Sequence, residues 1–278
     1  MQQAAQPKTE SAPRRVAVLV FGIAVASLIS ILAVTPLLGD RGVPGPLASD
    51  SLRPFLAITV LLICFAAMVA IGAVVGRLVN ALVGLFVVGA GLGVLSMRTG
   101  TVEDLVFGTS VMRLMPLETA VWALLLALAS ILIFRFSGRL PDFPVTHEVE
   151  LDATFGRAAR KSWFAGILAP ILASFLVVSA MKGQSIGAAA VASLLVGVVG
   201  RVLAPHTQPV VLVAAPLLAA AVGQAFFVFN GLNAPADLFV SNKLPSLLFV
   251  MPLDWAVGSL VGVPMGFAWA RSFVRQEH

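Results

Sequence analysis

Long apolar runs broken by short polar or charged stretches set the pattern of this chain. Eight such runs can be drawn, at about 16–38, 54–76, 78–97, 116–135, 163–181, 185–203, 209–230 and 249–270. Each is close to the roughly 20 residues that an α-helix needs to cross a hydrocarbon core of about 30 Å. The second and third runs are interrupted only by GRLVN at 76–80, and together they have about twice the length one crossing requires. They are expected to fold as a tight hairpin with Arg77 and Asn80 at its tip. The pattern predicts an all-α, polytopic integral membrane protein with about eight transmembrane helices.

Composition supports this reading. The 278 residues are 59% hydrophobic and only 11% charged, with a mean hydropathy of +1.00. That is more apolar surface than a soluble core of this size can hide, so the expected surroundings are a lipid bilayer. An even number of spans puts both termini on one side. Twelve Lys and Arg residues then fall on the terminal side and six on the other, which places both termini in the cytoplasm of a bacterial cytoplasmic (inner) membrane. The same count accounts for the isoelectric point near 10.3: the basic excess lines one membrane face, where it meets anionic headgroups. No nucleic-acid partner is expected, because the basic residues sit in separate short loops and form no single stripe.

Arg14 and Arg15 precede an apolar run longer than a signal-peptide core, so an uncleaved first helix is expected, with a twin-arginine export signal as the alternative. Residues 1–13 read as a disordered cytoplasmic tail. The single Cys64 lies within the second run as a small apolar side chain and leaves no intramolecular disulfide to form.

Several phrases recur in one order. MPLETAV at 115–121 and MPLDWAV at 251–257 open the fourth and eighth runs. VVGR at 74–77 and at 198–201 closes the second and the sixth, DLVF at 104–107 and DLFV at 237–240 occupy equivalent loops, and a basic pair precedes the first and fifth. The expected organisation is two parallel four-helix membrane repeats, 14–138 and 160–275, joined by a cytoplasmic linker at 139–159. An even number of helices per repeat relates them by an axis along the membrane normal. In the repeated phrase, Pro suits a first helical turn and the acid two positions on suits the positive end of the helix dipole. Arg77 and Arg201 likewise suit helix C-termini.

A functional reading of the same charges places them around a shared outer vestibule. Each half contributes a loop acid, Asp104 or Asp237, a helix-start acid, Glu118 or Asp254, and a base, Arg113 or Lys243. These six residues are the candidate outer-face polar site for a cation or polar solute. The span centres carry no Asp, Glu, Lys, Arg or His, which makes an ion-coupled pump a poor fit. Gln224, a large amide in the seventh run, is the candidate intramembrane polar contact, as interhelical glue or as a substrate contact.

Gly258, Gly262 and Gly266 form GxxxGxxxG in the eighth run, a face on which another membrane subunit could pack closely. Pro170, Pro216 and Pro264 fall inside second-half spans, where they kink helices or tune packing. Trp122, Trp163, Trp255 and Trp269 fall near span ends, as an interfacial aromatic belt would place them.

Enzyme motifs are sparse. HEVEL at 147–151 lacks the second His of a zinc-binding HExxH, and His206 stands alone in a short turn. No catalytic residue, metal or cofactor is expected, and the protein is read as a non-enzyme. Within the linker, Leu151, Phe155, Ala158 and Ala159 are spaced for a short amphipathic helix on the inner surface, beside Arg157, Arg160 and Lys161. The preferred function is that of a passive transport-type protein, a facilitator or permease component working at the repeat interface, and the alternative is a non-catalytic structural or assembly subunit of a larger membrane complex. A continuous polar cavity between the halves would favour the first, and a filled centre with an open glycine groove the second.

Overall fold

A computed structural model describes residues 12–39, 41–108, 112–138, 140, 156–205, 207–230 and 232–274. The expected tail at 1–13 lies outside these except for Ala12 and Pro13, which already belong to the first helix. HEVEL, Leu151, Phe155 and His206 also lie outside them. The described residues form helices and no strand, in the order α1 (Ala12–Leu32), α2 (Pro54–Leu78), α3 (Ala81–Ser96), α4 (Val102–Val106), α5 (Leu114–Ser137), α6 (Arg157–Trp163), α7 (Leu168–Leu176), α8 (Lys182–Leu203), α9 (Ala215–Asn230), α10 (Pro235–Val240), α11 (Pro252–Trp269) and α12 (Arg271–Val274). Short 3₁₀ turns at Phe164–Ile167 and Leu212–Ala214 lead into α7 and α9.

The protein is a helical membrane protein, and among the described residues five helices are long and apolar enough to cross a bilayer: α1, α2, α5, α8, and α9 together with its leading turn. The other three apolar runs take different forms. α3 has 16 residues and reaches about 24 Å at 1.5 Å per residue. The fifth run is broken where α6 passes through the 3₁₀ turn into α7. In the eighth run, Asp254, Pro252, Pro264 and three glycines dilute the apolar character of α11.

Local signals explain the boundaries. Pro54, Pro235 and Pro252 each stand at the first position of a helix, where the missing N–H costs nothing. Asn80 caps α3 by accepting the Val83 N–H at 3.0 Å, closing the α2–α3 hairpin at the tip anticipated from GRLVN. Gly84 lets that hairpin close, since a Cβ there would strike the Gly72 carbonyl oxygen. The repeated MPL phrase behaves differently at its two sites. In α11, Pro252 begins the helix and Asp254 sits in its first turn. α5 begins earlier, at Leu114, which moves Pro116 and Glu118 deeper and takes Glu118 away from the cap.

α11 fills the centre of the bundle. All but four of its 18 residues are buried, and it packs on α8, α3 and α5. A Cβ at Gly258 would come within 2.5 Å of Ala189 Cβ, and Cβ atoms at Gly262 and Gly266 would strike the carbonyl oxygens of Ala190 and Leu194. The glycine face expected to receive another subunit is therefore covered by α8 of the same chain. Two of the four tryptophans are also placed differently from the expected belt. Trp122 and Trp255 are core residues, the former edge-on to Phe65 at 5.3 Å between ring centroids. Arg201 is buried as well, donating to the Phe267 carbonyl at 3.0 Å and lying 4.8 Å from its ring, at the C-terminal turn of α11 where a cation suits the helix dipole.

The bundle has unlike ends. One is built from the loops at 35–39, 41–53, 97–101 and 107–108, α4, α10 and the segment leading into α11, and has its own apolar core of Leu47, Leu105, Met115, Leu248 and Met251 among others. α4 packs on α10 there, with Phe107 edge-on to Phe239 at 5.6 Å. The opposite end carries α6, the C-termini of α2, α5 and α8, and the entry to α9.

Candidate functional site

Beneath the loop-rich end, three helix termini converge on one carboxylate. Ser96 ends α3, Lys182 and Ser185 begin α8, and Asp254 lies in the first turn of α11. Asp254 is fully buried. Its Oδ1 lies 2.9 Å from Lys182 Nζ and accepts from Ser96 Oγ at 2.5 Å. Its Oδ2 accepts the Met251 N–H at 3.1 Å, with Ser185 Oγ at 2.8 Å. Lys182 also donates to the Gly100 carbonyl at 2.8 Å, and Gly100 N–H donates to Pro44 at 2.9 Å. One ion pair thereby ties α3, α8, α11 and two loops together.

The chemistry of this node is that of a fastener. A carboxylate offers about four lone-pair directions, and four polar groups approach these two oxygens. No direction is left for a substrate proton, and a buried pair with its hydrogen-bonding capacity used fixes one arrangement of its elements.

The other candidate residues occupy separate settings. Asp104 Oδ2 accepts the Thr101 N–H at 2.9 Å and closes a capping box on α4. It also lines a small cavity of about 110 Å³ with Arg41 and Asp50. Glu118 accepts from Ala48 N–H at 3.0 Å and Ser49 Oγ at 3.2 Å, holding the loop that feeds α2, and borders an apolar cleft between α2 and α5. Arg113, Asp237 and Lys243 are exposed on the loop surface. The six outer charges therefore lie around the loop-rich end without meeting in one cavity.

Gln224 is fully buried. Its Nε2 donates to the Val250 carbonyl at 3.0 Å, and its Oε1 lies 2.7 Å from Thr119 Oγ1. It links α9 to α5 and to the strap before α11. Sequence reading missed Lys182, Ser96 and Ser185. A lone Lys at a span entrance on the same side as Asp254 was the available signal, but the repeat alignment directed attention to Lys243 instead.

No family model, curated protein or solved structure matches this chain.

Proposed function

We propose that the protein is a non-catalytic structural or assembly subunit of a larger membrane complex. The observation that carries this reading is the filled centre: α11 occupies the bundle axis, with apolar side chains and glycine contacts where a solute path would run, and since α8 covers the glycine face, an assembly contact would use another surface. Several polar groups inside the bundle are engaged in helix contacts, as with Ser30 on the Gly91 carbonyl at 2.6 Å and Gln224 on Val250, while Ser193 Oγ and Trp255 Nε1 are buried without a hydrogen-bond partner. Asp254, in the first turn of α11, and Glu118, deeper in α5, act as clamps in the same way. A passive facilitator remains the counter-proposal, and it requires a polar route longer than the cavity beside Asp104 and Arg41.

The same reading includes eight crossings in two parallel halves, with both termini in the cytoplasm of a bacterial inner membrane. Matched packing supports the halves: α3 lies on α11 as α9 lies on α5, α5 meets α11, and α4 meets α10. The clamps match as well, since Glu118 holds the segment entering α2 and Asp254 the start of α8.

Extraction from native membranes in a mild detergent, followed by sizing and identification of co-purifying chains, tests the proposal. A reproducible set of other membrane proteins is the expected result. A lone particle that passes small solutes when reconstituted in vesicles would replace this reading with the facilitator.

A further inference from the structure

At the end opposite the loops, an elongated groove of about 1040 Å³ runs between the α6–α7 segment and α9. Its apolar wall includes Phe164, Ile167, Ile171 and Val222, all more than 40% exposed. Its mouth is lined by Arg157, Arg160 and Lys161. These three share one helical face by their i, i+3 and i+4 spacing, and all are exposed. Gly166 sets the base of the groove, because its lack of a Cβ lets the backbone settle against Ala215. From Ala215 to Gly223, and from Trp163 to Ile171, each wall advances about 12 Å at 1.5 Å per residue. That is close to one leaflet of a hydrocarbon core about 30 Å thick.

We propose that this groove is a binding site for an anionic phospholipid. The arrangement separates the two halves of such a molecule: three cations at the membrane surface for the phosphate-bearing headgroup, and an apolar channel of leaflet depth for the acyl chains. Among the described residues, every acid lies at the other end of the bundle, in the loops and helix starts from Asp50 to Asp254. Like charges three and four residues apart on α6 repel one another, and an anionic headgroup relieves that repulsion where no described carboxylate does. Basic surfaces between helices at a membrane face attract anionic lipid by this chemistry. A zwitterionic lipid would gain the groove but little from the cations.

The test is native mass spectrometry of the purified full chain after equilibration in mixed micelles of phosphatidylglycerol and phosphatidylcholine at equal concentration. The expected result is preferential retention of phosphatidylglycerol. The preference should fall about fivefold for each cation removed in Arg157→Gln, Arg160→Gln and Lys161→Gln. Ala219→Trp, which fills the groove, should reduce retention of both lipids while leaving the elution volume of the protein unchanged. A charge-matched control of Arg15→Gln, Arg77→Gln and Arg135→Gln, away from the groove, should keep the preference. Equal retention of the two lipids, or an equal loss in the control, would overturn the proposal. So would a preference that emerges only after Asp142, Glu148, Glu150 and Asp152 are neutralised, since those acids would then be what the cations bind.

Discussion

At the scale of single residues, the chain's few charges are distinguished by burial rather than by type. Asp254 and Asp237 are the two outer acids of the second half, yet one is buried beside Lys182 and the other is exposed. Asp254→Ala removes one member of a buried pair and is expected to cost about 3–5 kcal/mol, read as a large fall in thermal midpoint in detergent. Pairing it with Lys182→Met should recover part of that loss, because no buried charge then stands alone. Strictly additive losses would mean that the two side chains are not coupled. Gln224→Met is expected to be milder, about 0.6–1.7 kcal/mol, the range of single interhelical hydrogen bonds within membranes. The acids and Gln224 were legible as unusual in so apolar a sequence. Their partners were not, because Ser96 and Asp254 lie 158 positions apart and only tertiary folding brings a serine to one particular carboxylate.

At the scale of elements, apolar run length located the helices and glycine spacing marked the close contacts. It did not say which helix the glycines would face. A single sequence treats GxxxGxxxG as an open surface, whereas α8 supplies Ala189, Ala190 and Leu194 to cover it. Gly262→Leu and Gly266→Leu are therefore expected to lower stability by about 1–3 kcal/mol or more through overpacking, with loss of the monodisperse elution peak. Gly187→Ala on exposed α8 surface, where an added Cβ meets nothing within 4 Å, should instead gain about 0.5–1 kcal/mol from helix propensity. A common response in all three variants would contradict the packing described for α8 and α11. The break within the fifth run was not legible from hydropathy, which registers apolar length and is blind to the 3₁₀ turn that seats Gly166 on Ala215.

At the scale of the whole molecule, the two ends differ in construction, and the orientation proposed from the distribution of Lys and Arg puts them on opposite sides of the membrane. Single cysteines at Asp237 and Lys243, in a Cys64→Ala background, should react with an impermeant maleimide on intact cells. Cysteines at Arg77 and Arg135 should react only after permeabilisation. The reverse pattern would invert the assigned orientation. The central position of α11 also bears on the order of synthesis. The helix that completes the core emerges from the ribosome after α3, α5 and α8, the elements it must join. Until then those helices stand in the bilayer around an unfilled axis, with Ser96 and Lys182 waiting for a carboxylate not yet made. The axis is therefore filled only once the last long helix has been made, and a chain truncated before Met251 is expected to be digested by protease faster than the full chain.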